Sequence, residues 1–200
     1  GFRLILEDGS VQHAHGVRAV RDPADAGSQD VVLLTLKAHQ VHQVLPQLRA
    51  LFGPETVVVT MINGVPWWYF HRLAGPYEGL GLTSVDPGGV IARHIETDRV
   101  IGSVVYPAAE LVEPGVVRVI EGNRFTLGEL DGTRTQRVEA ISQVLMRAGF
   151  KAAELAQTEN PELDAVDKDY LKRLAVAGFA AANIMLLSVS VWSGAEGPTR

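Results

Sequence analysis

The chain contains no cysteine, which removes disulfides, thiolate nucleophiles and cysteine-ligated zinc in one step and suits a reducing, cytoplasmic setting. It has no run of lysines and arginines able to track a phosphate backbone, and its formal net charge is only -5, so nucleic acid is a poor candidate partner. No basic segment followed by a long apolar one opens the sequence, so no secretory signal is visible. The first residue is glycine, not methionine, and the chain starts inside an apolar-alternating segment; a piece of something longer is expected. No Gly-x-Ser-x-Gly elbow is present, which leaves hydrolase chemistry without support. What is there is ordinary globular composition, with 46% apolar and 20% charged residues over 200 positions. That suffices for one full domain with a sizeable core and a short appendage.

Residues 2–7 and 11–20 are β-like and flank Asp8-Gly9, a turn pair that tolerates positive φ, so an antiparallel hairpin is expected. Asp22-Pro23-Ala24-Asp25-Ala26 reads as a turn or a single helical turn. The unbroken apolar run at 30–36 suits a parallel strand buried on both faces. Val41, Val44, Leu45, Leu48 and Leu51 fall at helical spacing, with Gly53-Pro54 as the stop. Val57-Val58-Val59 marks a second buried strand ending at Asn63-Gly64, and Pro66 favours the first turn of another helix. Strand, helix, strand, helix implies right-handed crossovers and a parallel sheet. A glycine-rich loop over 75–89 precedes strands at 99–106, 115–120 and 124–127. The segment 133–148 is an amphipathic helix with Val138, Ile141, Val144 and Leu145 on one face and Gly149 as its stop.

Two constellations stand at predicted strand ends, where open α/β sheets bind ligands. In Leu36-Lys37-Ala38-His39-Gln40, an ammonium and a carboxamide are placed to meet a nucleotide's phosphate or ribose oxygens; a solvated helix start explains the same residues. In Asn63-Gly64-Val65-Pro66-Trp67-Trp68-Tyr69-Phe70, Asn63 offers both a donor and an acceptor. Four consecutive aromatics cannot all face inward on a helix, so part of the cluster should line a groove or contact surface. Six histidines complete the titratable inventory. His13 and His15 alternate on one strand face and His39 and His42 lie one helical turn apart, but no carboxylate stands at a recognisable ligand spacing, so surface side chains are expected rather than metal ligands.

These motifs, with Val100-Ile101-Gly102, Tyr106-Pro107-Ala108-Ala109, Pro114-Gly115 and Gly122-Asn123-Arg124-Phe125-Thr126-Leu127-Gly128, resemble the ketopantoate reductase family, the 2-dehydropantoate 2-reductases of pantothenate biosynthesis. The resemblance covers 1–150. It implies NADPH-dependent reduction of a 2-keto acid, with Lys37 and Gln40 contacting the cofactor, Asn63 near the nicotinamide ribose and substrate, and Ala108 contributing main chain beside the cofactor. The family's proton donor is a lysine of its helical domain; Tyr170-Leu171-Lys172-Arg173-Leu174 echoes that segment and makes Lys172 the candidate, though Val176 and Ala180 replace the family's asparagines and an ordinary exposed helix lysine explains the same residue. The family's opening strand, Gly-x-Gly-x-x-Gly turn and helix have no counterpart here. The expected fold is therefore α/β, an incomplete Rossmann-like parallel sheet without its first βα unit, with antiparallel hairpin strands and a C-terminal helical tail. The expected division is 1–150 as a partial NADP-binding domain and 151–200 as a helical tail, and the chain alone is expected to be inactive.

Residues 174–192 carry no charge and approach the roughly 20 residues that span a bilayer. With Lys172-Arg173 as flanking cations they resemble the first membrane helix of heavy-metal-exporting P-type ATPases, without any of that family's metal or phosphorylation motifs. This favours a composite or fragmentary reading frame joined between 150 and 167. It also supplies a rival to the enzyme reading: a non-enzymatic chain that associates with a partner or a membrane through its apolar tail.

Overall fold

The computed structural model describes residues 1–154. Among these, the elements are β1 (Phe2–Ile5), β2 (Val11–Ala14), β3 (Gln29–Leu34), α1 (Val41–Leu48), β4 (Phe52–Thr60), α2 (Val90–His94), β5 (Val100–Val105), β6 (Ala108–Glu113), β7 (Val116–Glu121), β8 (Arg124–Gly128), α3 (Gln136–Arg147) and β9 (Lys151–Glu154). They form a four-stranded sheet in the order β2-β1-β7-β6 and a five-stranded sheet in the order β3-β4-β5-β8-β9. In the larger sheet β3, β4 and β5 are parallel, while β8 runs antiparallel to β5. The expected first hairpin is present, with Gly9 at φ 82 in its turn. Its second strand stops at Ala14, short of Val20, because Ala14 pairs with Phe2 and β1 offers nothing beyond that residue.

Alternation along β4 and β5 sends side chains to two separate cores. Val58 and Val100 face α1 and α2, packing with Val41, Leu45, Leu48, Ile91, Ile95 and the buried Trp67. Val57, Val59 and Ile101 face α3, packing with Phe125, Leu127, Val138, Ile141 and Leu145. The continuous apolar run of β4 thus reflects burial on both faces. For β3 the same expectation is corrected. Val32 and Leu34 are buried, but Val31 and Leu33 are 39% and 47% exposed, because β3 is an edge strand and α3 covers the far half of that face.

Helix α1 matches its predicted register, but Gly53-Pro54 does not form the stop. The last turn ends at Leu51 and the pair lies inside β4, where the pairing slips between Gln29/Phe52 and Val31/Val57. A proline without an N–H is tolerated at such an irregularity. No regular helix follows Pro66. Residues 67–72 form successive turns, with Tyr69 N–H donating to Pro66 O and His71 N–H to Trp68 O, while both tryptophans pack toward the α1 core. On α3, Val144 is 58% exposed. A helix advances about 100° per residue, so Val144 falls roughly 90° off the stripe centred on Val138, Ile141 and Leu145, and Ser142 takes the inward place. The helix closes as a Schellman motif, with Phe150 N–H on Leu145 O and Gly149 N–H on Met146 O.

Two strands were not anticipated. β6 is exposed along nearly its whole length and slips register twice against β7. β9 pairs in parallel with β8 from Arg124/Lys151 to Leu127/Glu154, so the sheet crosses the expected boundary at 150. The remaining residues of the 151–200 segment, with Lys172 and the apolar stretch 174–192, lie outside the described residues. Among the described residues no helix is long and apolar enough to cross a membrane.

At the amino edge of the larger sheet Arg99 donates to the carbonyls of Gly53, Pro54 and Thr56 and to Glu96, which also accepts from Arg49. The Arg49 hydrogen bond is the main reason the Glu96 carboxyl falls from 4.5 to about 2; partial burial opposes it and Arg99 adds to it. A carboxyl depressed in the folded state stabilises above its unfolded pKa and loses that contribution as pH falls toward 2. Glu96→Gln is therefore expected to be less stable at pH 7 by about 1 kcal/mol or less, since the pair is half exposed, and to match the parent at pH 2. Urea midpoints at the two pH values check this; a gap that persists at pH 2 contradicts it.

Candidate active site

The parallel register fixes what stands at the carboxyl edge of the larger sheet. Leu34 pairs with Thr60, and Thr60 with Gly102. Lys37, Asn63 and Val105 each lie three residues beyond that row, so all three emerge on one edge. Asn63 is fixed there by its own amide, with Nδ2 donating to Val105 O at 3.0 Å and Oδ1 accepting Val105 N–H at 3.3 Å. One N–H and one oxygen lone pair of that side chain remain for a ligand. Gly64 follows at φ 113, a conformation that costs a residue with a Cβ and turns the chain sharply away from the edge.

Lys37 is exposed. Gln40 Oε1 accepts the Lys37 N–H at 3.1 Å, so this carboxamide first serves the local turn and keeps only its NH₂ for another partner. Ala108 opens β6 three residues after Val105, which carries it from the same edge into the smaller sheet. The structure thus brings Lys37, Asn63 and the entry to Ala108 to one rim. The aromatic run, on turns and not on the helix expected for it, still divides: Trp67 is buried, Tyr69 is 44% exposed, and Trp68 lies against β5 so closely that a Cβ on Gly102 would stand 3.0 Å from its ring.

Sequence reasoning missed several groups. Asp86, buried in the glycine-rich loop, caps α2 by accepting Ile91 N–H at 2.8 Å and Ala92 N–H at 3.0 Å, and His42 Nε2 stands 3.8 Å from it. That carboxylate is remote in sequence, so the histidine spacing gave no sign of it. Tyr106 and Arg124 stand in the matching motifs without an assigned role, and their contact was missed; the Arg124 guanidinium carbon lies 4.2 Å from the Tyr106 ring centroid. A cavity of about 290 Å³ opens at the opposite, amino edge, lined by Thr56, Glu96, Arg99 and Arg137 among others. Its arginines are spent on internal acceptors, so its lining is a structural clasp. His13 and His15 stack with centroids 5.9 Å apart, and among the described residues no group of three or more histidines and carboxylates is placed to hold a metal.

An open sheet with parallel strands, whose amide and ammonium side chains gather beyond the strand carboxyl ends, is the layout of the dinucleotide-binding α/β domains; the described sheet is Rossmann-like. Residues 1–73 match the family model described as ketopantoate reductase PanE/ApbA. The chain is 51% identical over 152 residues to a 2-dehydropantoate 2-reductase of Mesorhizobium japonicum, covering 76% of this chain and 46% of that one. A structure from Ralstonia solanacearum MolK2 described as a ketopantoate reductase superposes with a TM-score of 0.73 at 43% identity, covering 78% of this chain and 48% of that one. Each of the three comparisons returns a ketopantoate reductase, and the chain spans about half the length of the reductases it matches. A shorter similarity is to the nitrogen fixation protein FixI of Rhizobium leguminosarum bv. viciae, 53% identical over 72 residues, which cover 36% of this chain and 9% of that one.

Proposed function

We propose that this chain carries the nicotinamide-facing part of an NADPH-dependent 2-keto-acid reductase, of the type that converts 2-dehydropantoate to pantoate, and that the chain alone does not turn over. The observation that supports this is the shared edge: Lys37 and Asn63 each lie three residues beyond a hydrogen-bonded pair of parallel strands. The donor set suits one end of a nicotinamide dinucleotide. Asn63 has one N–H and one lone pair left for ribose or carboxamide, Lys37 offers a cation for a phosphate, Gln40 an NH₂, and Ala108 main chain. The glycine turn that would hold the pyrophosphate is absent from the sequence, so the fit is partial.

When bound, the cofactor supplies a hydride for the ketone carbon. What these residues contribute is orientation, since Asn63 is anchored to β5 before any ligand arrives and needs no reordering on binding. Lys172 is the proposed proton donor to the developing alkoxide. The reading places the activity in the cytoplasm, with a small 2-keto acid as the partner and no nucleic acid.

Titrating the 200-residue chain with NADPH and following its amide resonances by NMR tests the cofactor edge. Shifts at Lys37, Asn63 and Val105 that reach half of their full size around 1 mM, about 4 kcal/mol of binding, are expected. Asn63→Ala should weaken that affinity about fivefold, the value of one hydrogen bond of about 1 kcal/mol. Resonances at this edge that stay still on adding NADPH overturn the reading.

A further inference from the structure

We propose that Arg124 is the residue that binds the carboxylate of the keto acid, its guanidinium preset for an oxyanion by the Tyr106 ring beneath it. The inference rests on the reductase reading and adds to it the group that selects an acid over a plain ketone.

Position comes first. Tyr106 directly follows Val105, the residue whose N–H and C=O are both held by Asn63. Tyr106 N–H donates to Arg124 O at 3.2 Å, and the next pair along the ladder is Val105 with Phe125. Arg124 therefore enters β8 where β5 leaves the sheet, on the same rim as Asn63. The period-two alternation of strands puts Gly102, Val104 and Tyr106 on one face, and Arg124 on that face with them. Trp68 lies on that face, over Gly102, so the arginine and the tryptophan flank the same stretch of β5.

Availability comes second. Arg3, Arg49, Arg72, Arg99, Arg118 and Arg137 each have a carboxylate partner. Among the described residues no carboxylate or carbonyl accepts a hydrogen bond from the Arg124 side chain. Among the described residues its guanidinium stands over the Tyr106 ring, 4.2 Å from the centroid. An arginine stacked on an aromatic face is restrained in orientation while its in-plane N–H groups stay unpaired. That is the state of a group prepared to take a planar anion in bidentate fashion, and a 2-keto acid presents a planar carboxylate next to the carbonyl to be reduced.

A cofactor phosphate shares the oxyanion chemistry, so the test has two arms. The 200-residue chain and its Arg124→Gln and Arg124→Lys variants are titrated by NMR with 2-dehydropantoate and, separately, with NADPH. Arg124→Gln should lose about tenfold or more in keto-acid affinity, as expected for a charge-assisted hydrogen bond, and hold its NADPH affinity within about twofold. Arg124→Lys should fall between, because it keeps the charge and loses the fork. The Asn63 and Val105 resonances of each free variant report whether the rim is intact. Unchanged keto-acid affinity in Arg124→Gln overturns the inference, as does a parallel loss for NADPH, which would assign the arginine to a phosphate. A parent chain that binds NADPH but no keto acid also overturns it, leaving the reductase reading in place; a parent that binds neither removes both.

Discussion

Leu45→Ala is expected to lower the unfolding free energy by about 3 kcal/mol, the usual cost of truncating a fully buried leucine when its surroundings collapse only in part. Leu45 is 1% exposed and sits mid-helix in α1, within the cluster that holds Val32, Leu34, Val58, Ile91 and Ile95. The position is sensitive because β3 is covered on that face alone. Val32 and Leu34 dock nowhere else, so a cavity under α1 loosens the edge strand together with the helix. Val44→Ala, one residue earlier and only partly buried, should cost about 1 kcal/mol by the same reasoning. Urea denaturation of the two variants measures the contrast, and equal losses would show that α1 is not seated as described. Because α1 begins directly after the turn that holds Lys37 and Gln40, the first variant should also broaden the NMR resonances of Lys37 while leaving those of β8 sharp.

Sequence period made the central strands legible because burial on both faces demands an unbroken apolar run, and Val57-Val58-Val59 has no competing explanation. The same signal misled at β3, since an edge strand in a parallel sheet carries the same composition as a central one; its neighbours, not its residues, decide its exposure. Pro66 misled in a different way. Proline presets the first turn of a helix, but Trp67 and Trp68 both reach the α1 core, and adjacent residues on a regular helix point about 100° apart. Tertiary packing of two large rings outweighed one favourable φ. β6 had no signature to read, because Ala108-Ala109-Glu110-Leu111-Val112-Glu113 neither alternates nor forms an apolar run, and its place in the smaller sheet comes from pairing with β7.

The candidate site was legible where strand ends and turn residues coincide. Lys37 and Asn63 follow apolar runs, and the parallel register turns equal offsets in sequence into a shared edge in space. The second anchor of that edge was not legible. The hydrogen bonds between Asn63 and Val105 join residues 42 apart, and no local pattern signals them. Arg124 was hidden for the same reason, since its aromatic partner lies 18 positions earlier and the two meet only because β5 and β8 are antiparallel neighbours.

Arg137→Met is expected to cost about 3 kcal/mol, the lower end of what breaking a buried ion pair costs, because the Arg137 side chain is 35% exposed while that of Glu129 is 7% exposed. Burial pushes the Glu129 carboxyl up, and hydrogen bonds from Arg137 and Thr135 more than offset that, leaving it below its ordinary range. Removing the arginine leaves a desolvated carboxylate with Thr135 alone. The loss should therefore shrink at acid pH, where Glu129 takes a proton in the variant before it does in the parent. The double variant Glu129→Leu/Arg137→Met should recover most of the stability, since both desolvated charges go together. Thr135 Oγ1 keeps a role in it, still accepting the Val138 N–H at the head of α3. Arg137 also donates to Asp98 O, a contact that no variant at Glu129 restores, and this sets the residual deficit at about 1 kcal/mol. Thermal and urea unfolding of the three variants against the parent decides the matter: a double variant as unstable as Arg137→Met would mean that the lost arginine packing, and not the stranded carboxylate, carries the cost.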